Sequence, residues 1–230
     1  MILENDIRIV RIDQTEQVAT QAARAQDWAN LEKYRSENEK LKTNKNHARK
    51  TVFMGDSITE GWKDLNPKFF SKNNFINRGI GGQTTPQMLI RFKPDVIHLD
   101  PDLVIILAGT NDIAGNSGPS SVNMILDNIF SMAEIARCND INVFLCSILP
   151  VYAYPWNDKI KDVPKIISSV NSQLKKFAKY NELTYVDYYS EMVSDNHGLE
   201  SIYAHDGVHP TKDGYDVMEN VIQSSLSNSI

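Results

Sequence analysis

A serine lies where an apolar stretch of the sequence gives way to polar residues. Thr51–Met54 reads as a short buried strand that ends at Gly55, and Asp56, Ser57 and Thr59 follow with side chains suited to capping a helix. At such a strand-to-helix turn the hydroxyl of Ser57 would lie at the carboxyl end of a parallel sheet, beside backbone N–H groups that point into the same space. Ser57 is therefore a candidate nucleophile for attack on a carbonyl. Taken alone, the same residues could simply cap a helix.

Two further loops carry groups that could stabilise a developing negative charge. Residues 77–85 are rich in glycine, so that backbone can approach a ligand closely and the N–H of Gly82 could donate to an oxyanion. Residues 109–112 supply the side-chain amide of Asn111 as a second, uncharged donor, and the backbone N–H of Ser57 would be a third. Each loop alone is explained by turn chemistry, but their occurrence at three strand ends on one sheet edge favours a site.

A base for Ser57 is available near the end of the chain. Asp206 precedes His209 by three residues, so one turn brings the carboxylate to the imidazole; the carboxylate can hold Nδ1–H and leave Nε2 facing the serine. Pro210 stops a regular helix from continuing there. His205 is the competing candidate for the base because it is adjacent to Asp206. However, the side chains of adjacent residues rarely point towards the same group.

These four segments resemble the SGNH (GDSL-type) hydrolase family in residue type and in order. Residues 55–57 look like its first block, 79–82 its second, 109–112 its third and 206–209 its fifth. The resemblance implies Ser57 as nucleophile, His209 and Asp206 as base and orienting carboxylate, and Gly82 and Asn111 as oxyanion-hole donors beside the N–H of Ser57. It requires no metal and no cofactor. Small esterases similar to platelet-activating-factor acetylhydrolase subunits and bacterial carbohydrate acetylesterases are the nearest in character.

The elements that must position these residues alternate between strand and helix. This alternation is typical of an α/β protein with a parallel sheet, and five strands with intervening helices favour a three-layer, flavodoxin-like fold with strand order 2-1-3-4-5. The predicted strands are Thr51–Met54, Asn74–Asn77, Leu103–Ala108, Asn142–Ile148 and Leu183–Val186. The predicted helices are Thr85–Arg91, Ser120–Arg137, Pro164–Tyr180 and Lys212–Ser227.

The first 50 residues fall outside these motifs. Residues 1–14 could form an extended arm, and the composition from about Thr15 to Leu41 predicts a helix in which Trp28, Leu31 and Tyr34 face the body. We therefore divide the chain into residues 1–50, an N-terminal arm and helix that pack on the body, and residues 51–230, the hydrolase domain.

Length and composition exclude several classes of protein. The 230 residues carry a net charge of −5 without a block rich in Lys or Arg, which argues against nucleic-acid binding. Two cysteines give no disulfide framework, and no apolar run is long enough to span a bilayer. No signal peptide is recognisable, so we expect a cytoplasmic protein by default. If a leader was removed, the protein would be periplasmic or secreted. The oligomeric state, including a homo-oligomer, is left open.

The aromatic residues after the fourth strand suggest a substrate. Tyr152, Tyr154 and Trp156 could reach the rim of the cleft, where their flat faces would suit a sugar ring, or they could pack beneath the next helix. The gaps between motifs leave no long apolar lid. We therefore expect a serine ester hydrolase that deacetylates small or carbohydrate esters. The alternatives are a lysophospholipase or thioesterase for longer acyl chains, and a catalytically silent carbohydrate-binding module.

Overall fold

A parallel five-stranded sheet forms the centre of the protein. The computed structural model describes residues 27–43 and 49–228. Its strands pair in the order β2-β1-β3-β4-β5, which confirms the predicted flavodoxin-like topology. The strands are β1 (Thr51–Gly55), β2 (Phe75–Gly79), β3 (Leu103–Leu107), β4 (Asn142–Cys146) and β5 (Thr184–Val186).

The helices lie between the strands along the chain. The four predicted helices are present, and the first of them continues four residues further than expected, past Pro94 to Asp95. The helices are α1 (Arg35–Thr43), α2 (Ser57–Leu65), α3 (Pro67–Asn73), α4 (Thr85–Asp95), α5 (Thr110–Ile113), α6 (Val122–Arg137), α7 (Val163–Tyr180), α8 (Tyr188–Met192) and α9 (Lys212–Ser227). Within the described ranges, no helix combines the length and the apolar character that crossing a membrane would require.

The two faces of the sheet have separate hydrophobic cores. Alternate residues of a strand point to opposite faces, so Val104 and Ile106 join one core whereas Ile105 and Leu107 join the other. The first core is covered by α4, α6 and α7, and the second by α2, α3, α8 and α9. This is the expected three-layer α/β/α arrangement, in which both faces of a parallel sheet are covered.

An aromatic cluster fixes the elements on either side of Ser57. Phe53 of β1 meets the edge of Trp62 of α2 with ring centroids 5.6 Å apart, and Trp62 stacks on Phe69 at 5.2 Å. These three side chains are at most 4 % exposed. Full burial of such a side chain stabilises a fold by about 1.5–3 kcal/mol. The strand before Ser57 and the helix after it are therefore held in one rigid unit.

A buried arginine ties together the ends of the first two strands. The guanidinium of Arg91 donates to the carbonyl oxygens of Gly55 at 2.9 Å and Arg78 at 2.8 Å, and it pairs with Asp95 at 3.0 Å. Both carbonyls lie at or near the carboxyl ends of their strands, where the Ser57 turn and the glycine-rich loop begin. Arg91 thus fixes the distance between two loops that must act together.

Residues 27–34, which we call the N-terminal segment, form turns and precede α1. The predicted helix is therefore wrong over this stretch, and its earlier part, with the arm at residues 1–14, lies outside the described residues. The predicted inward stripe is also wrong for Trp28 and Leu31, which are 45 % and 39 % exposed. Tyr34 does contact the body: its hydroxyl donates to the carbonyl oxygen of Gly79 at 2.5 Å, and its ring lies 4.5 Å from the guanidinium of Arg78.

Candidate active site

Ser57 is the first residue of α2 and lies two residues after Gly55, the last residue of β1. Asp56 caps the helix, with its carboxylate accepting the N–H of Ile58 at 2.9 Å. A Cβ on Gly55 would lie 2.8 Å from the carbonyl oxygen of Leu107 and still closer to Thr59, so the tight turn requires glycine. Burial raises the pKa of Asp56 to about 7, and the hydrogen bond from Ile58 limits the rise. The predicted capping role of Asp56 is confirmed.

The three predicted triad residues come together in one hydrogen-bonded chain. Ser57 Oγ lies 3.0 Å from His209 Nε2, and His209 Nδ1 lies 2.6 Å from Asp206 Oδ2. The other carboxylate oxygen of Asp206 accepts the backbone N–H groups of Val208 at 2.9 Å and His209 at 2.8 Å. When Nδ1 carries the proton, Nε2 is left to accept the proton of the serine hydroxyl.

The environment of Asp206 favours its ionised form. Burial acts to raise its pKa, but the hydrogen bonds from the ring and backbone of His209 and from Val208 outweigh burial and leave the pKa below its ordinary value. A carboxylate that stays charged can stabilise a positively charged imidazole. The competing candidate, His205, is exposed, and the imidazole that reaches both Asp206 and Ser57 is that of His209.

The glycine-rich loop lies directly beside the serine. A Cβ on Gly81 would be 3.8 Å from Cβ of Ser57, and Gly82 adopts a φ of +74°, a left-handed conformation that glycine tolerates best. The N–H of Gly81 donates to Glu60 Oε2 at 2.7 Å, and the other oxygen of this carboxylate pairs with Lys33. The glycine-rich loop is therefore fixed by Glu60 of α2, which is itself paired to Lys33 of the N-terminal segment.

Asn111 lies on the short helix α5 and bonds directly to the glycine-rich loop. Its Nδ2 donates to the carbonyl oxygen of Gln83 at 3.0 Å, and its Oδ1 accepts from Asn116 Nδ2 at 2.8 Å. The Oδ1 contact fixes which end of the amide faces the loop. Because an amide group has two N–H bonds, the bond to Gln83 leaves the second for a substrate oxygen.

Asp112, the neighbour of Asn111, anchors α5 to α4. Its carboxylate accepts the backbone N–H of Thr85 at 2.9 Å and the hydroxyl of the same residue at 2.6 Å. Burial raises the pKa of Asp112, whereas the bonds from Thr85 oppose the rise. Asp112 is therefore a structural residue that fixes the position of α5 against α4.

Sequence reasoning missed Glu60 and Lys33. Glu60 lies one helical turn after Ser57, and Lys33 lies in a stretch that carries none of the motifs. The acidic position in the first turn of α2 is explained by the helix dipole alone, so it gives no signal of a contact with Gly81. Such a contact depends on how β1 and β2 pair, which only the folded protein specifies.

The three aromatic residues after β4 have different environments. Trp156 is 48 % exposed, its ring centroid is 6.1 Å from that of His209, and its indole N–H donates to Asn116 at 3.2 Å. Tyr154 is 2 % exposed and its hydroxyl lies 3.0 Å from that of Thr110, so the expectation that it reaches the rim is wrong. Tyr152 is 64 % exposed. The strand-like spacing could not tell which of these rings turns into the core.

A cleft of about 1000 Å³ opens beside the glycine-rich loop; we call it the N-terminal cleft. Asp27, Trp28, Asn30 and Glu32 form one side, and residues 80–83, Gln87 and residues 116–117 form the other. The cleft thus extends from the glycine-rich loop to the N-terminal segment.

The fold and this constellation define a class of protein: a three-layer α/β hydrolase with a serine, a histidine and an aspartate at the carboxyl edge of its sheet. A model of the GDSL-like Lipase/Acylhydrolase family matches residues 53–217. The chain belongs to this family, which places it among the carboxylic ester hydrolases.

Solved structures of similar sequence share the fold. An acylhydrolase candidate from Bacteroides fragilis is 51 % identical, covers 88 % of this chain and 98 % of its own, and superposes with a TM-score of 0.85. A GDSL-like lipase from Bacteroides thetaiotaomicron is 45 % identical, with 88 % and 99 % covered and the same TM-score of 0.85.

Curated relatives are more distant. An arylesterase of Vibrio mimicus is 28 % identical over 143 residues, which are 56 % of this chain and 70 % of that protein. Two other curated relatives are matched over only 33 % and 39 % of their own lengths.

Proposed function

We propose that this protein is a serine esterase that works through an acyl-enzyme and removes acetyl groups from small or carbohydrate esters. The observation that carries the serine mechanism is the contact of 3.0 Å between Ser57 Oγ and His209 Nε2, with Asp206 on the far side of the ring. A hydroxyl within hydrogen-bond reach of an oriented base is the geometry that activates a serine nucleophile. A module that only binds carbohydrate has no need for this arrangement.

The reaction proceeds in two halves. Ser57 Oγ attacks the carbonyl carbon of the ester while His209 takes its proton, and the imidazolium that forms faces the carboxylate of Asp206. His209 then gives the proton to the departing alkoxide, leaving the acyl group on Ser57. In the second half His209 removes a proton from water, the hydroxide attacks the acyl carbon, and Ser57 leaves with the proton.

The negative charge on the carbonyl oxygen must be stabilised in both halves. In this proposal the donors are the backbone N–H groups of Ser57 and Gly82 and the side-chain amide of Asn111. All three are uncharged groups held by the fold, so they need little reorganisation when the charge develops. The bonds from Asn111 to Gln83 and from Gly81 to Glu60 hold two of the donors in place.

The surroundings of Ser57 support a short acyl group. The N-terminal cleft, which opens beside Gly81 and so close to Ser57, is lined mainly by amide and carboxylate side chains, and its described residues offer a long acyl chain no contiguous apolar wall. A long acyl chain gains affinity only from contiguous apolar walls. The exposed ring of Trp156, close to His209, supplies a flat surface for the alcohol part of the ester.

The test is a panel of 4-nitrophenyl esters with acetyl, butyryl, octanoyl and decanoyl groups, followed by acetate release from an acetylated xylo-oligosaccharide. We expect kcat/KM to be highest for acetyl and to fall with chain length, with acetate released from the saccharide. Ser57→Ala should abolish both activities. A maximum at octanoyl or beyond, with no release from the saccharide, would favour the lysophospholipase or thioesterase alternative.

A further inference from the structure

We propose that the N-terminal cleft is the binding site for the saccharide part of the substrate, and that a sugar ring stacks on the indole of Trp28. This inference rests on the proposed function and adds to it a specificity-determining residue that lies outside the family match at residues 53–217. The N-terminal segment would then supply one wall of the substrate site, although it carries none of the reacting groups.

The position of the cleft connects it to the reaction. Gly81 and Gly82 line it, and Gly81 lies against Ser57. Asn116 lines the cleft as well, and it bonds to Asn111 on one side and to Trp156 on the other. A substrate whose carbonyl lies at the oxyanion donors therefore has this cleft as an adjacent space for its remaining bulk.

The backbone that carries Trp28 is held in place although its side chain is exposed. Its carbonyl oxygen accepts from Gln87 Nε2 at 2.7 Å, and the carbonyl oxygen of the next residue, Ala29, accepts from Gln83 Nε2 at 2.7 Å. Ala29 itself is 4 % exposed. A large indole that is 45 % exposed on a fixed backbone offers a pre-organised apolar face, which loses little entropy on binding.

The other side chains of the cleft suit a neutral ligand with many hydroxyl groups. Asn30 carries an amide, which both donates and accepts, and Asp27 and Glu32 carry carboxylates, whereas the amides of Gln87 and Asn116 already bond within the protein and add polarity to the wall. Among the lining residues that the structure describes none is Lys or Arg, although Arg35 pairs with Glu32 from outside the cleft. Such a lining repels a phosphate head group and therefore disfavours a lysophospholipid.

A long alkyl chain also fits this cleft poorly. Of the described residues that line it, the hydrophobic ones are Trp28 and Ile80, and Ile80 is only 4 % exposed. One accessible aromatic ring surrounded by polar groups is the pattern of a site that binds one face of a sugar ring and its hydroxyls, since the ring's C–H bonds meet the indole while its edges meet amides and carboxylates.

Binding can be measured apart from catalysis. Titration calorimetry of Ser57→Ala with an acetylated xylo-oligosaccharide would give the affinity, and the same titration would be repeated with Trp28→Ala and Trp28→Phe added. We expect Trp28→Ala to weaken binding roughly tenfold, a typical loss for an exposed aromatic contact, and Trp28→Phe to recover most of it. The backbone bond to Gln87 survives both changes. Tyr180→Ala, which removes an aromatic ring that is 88 % exposed at the end of α7, is the matched control and should not change the affinity.

Kinetics separate this inference from the proposed function. With Ser57 present, Trp28→Ala should raise KM for the acetylated saccharide far more than KM for 4-nitrophenyl acetate. If the unaltered protein cleaves the saccharide but Trp28→Ala binds and cleaves it equally well, the subsite is wrong and the proposed function stands. If Trp28→Ala instead impairs octanoyl esters selectively, the cleft holds the acyl chain and the saccharide assignment is overturned. A protein without Ser57-dependent acetyl esterase activity would overturn the proposed function itself.

Discussion

Glu60 accepts the backbone N–H of Gly81 at 2.7 Å, with its second carboxylate oxygen paired to Lys33. This places a carboxylate against the peptide between Ile80 and Gly81, one residue before the proposed donor Gly82. Because the N–H of Gly81 is engaged, the following peptide has little freedom to turn. The contact therefore orients a proposed oxyanion donor from a helix that also begins with the proposed nucleophile, and Glu60 is a positioning residue.

Removal of Glu60 should lower kcat more than it changes KM. We expect Glu60→Ala to reduce kcat by about tenfold, less than the 10²–10³-fold typical of losing an oxyanion donor outright, because the loop is misaligned and not removed. Glu60→Gln keeps an acceptor for Gly81 and should retain most of the activity. The control is Glu39→Ala, which breaks an exposed ion pair with Lys42. A lower thermal midpoint for Glu60→Ala with unchanged kcat would indicate a purely structural role.

If Ser57 and His209 act as partners, the losses in kcat caused by replacing each of them should not be additive. Ser57→Ala or His209→Ala should each lower kcat by roughly 10³-fold or more, and the double variant should be scarcely worse, because the two side chains act as one unit. His205→Ala is the matched control for a nearby exposed imidazole and should retain activity. Steady-state kinetics on 4-nitrophenyl acetate provide the measurement. Multiplied losses in the double variant would show that Ser57 and His209 are not partners.

Asn111 should contribute to the transition state and little to ground-state binding. We expect Asn111→Ala to lower kcat by about 10²–10³-fold, roughly 3–4 kcal/mol, with KM little changed. Asn116→Ala removes the group that fixes the orientation of the Asn111 amide, so a smaller loss in kcat is expected there. A change confined to KM in Asn111→Ala would show that this amide binds the substrate and not the oxyanion.

The buried carboxyl of Asp56 makes stability depend on pH. Because burial raises its pKa in the folded protein to about 7, the folded state holds this proton more tightly than the unfolded chain does. Its contribution to stability is therefore greatest at low pH and is lost as the pH rises through about 7. Asp56→Asn keeps an acceptor for the N–H of Ile58 and avoids the buried charge.

Thermal unfolding should reveal this dependence. We expect the unfolding temperature of Asp56→Asn to be several degrees above that of the unaltered protein at pH 8. This difference should shrink towards pH 4, where the carboxyl of Asp56 in the folded protein is neutral, as the amide of the variant is. Asp64→Asn changes an exposed carboxylate of the same helix and serves as control, with no such trend. A gap that stays constant between pH 4 and pH 8 would contradict a raised pKa for Asp56.

Local patterns in the sequence suffice to predict the sheet and most of its helices. The apolar run 103–107 needs burial on both faces, and the flanking helices carry apolar stripes that provide it. The triad could also be predicted, because the spacing of Asp206 and His209 is local and a strand-to-helix turn exposes Ser57. Residues close in sequence determine each of these local features, whereas the pairing of Ser57 with His209, 152 residues apart, was implied by the order of the motifs.

Contacts between distant parts of the chain that lie outside the four motifs could not be predicted. Lys33 and Glu60 are 27 residues apart, and Asn38 and Arg78 are 40 apart, yet both pairs bond directly. The sequence left open whether Tyr154 lies at the rim or in the interior, and the structure shows its hydroxyl beside that of Thr110 in the interior. Helical propensity at residues 27–34 was overridden by hydrogen bonds that their backbone makes to α4 and its preceding loop.

The residues proposed to select the substrate and those proposed to react with it lie in different parts of the sequence. The proposed nucleophile, base and oxyanion donors all lie between residues 57 and 209, whereas one wall of the neighbouring cleft lies at residues 27–32. Substitutions in this short stretch can reshape what the protein recognises while every reacting group stays in place. Relatives that differ there can thus diverge in substrate with an unchanged catalytic apparatus, and grafting residues 27–32 between them, with Lys33 and Tyr34 kept for their contacts to Glu60 and Gly79, is a direct way to exchange specificity.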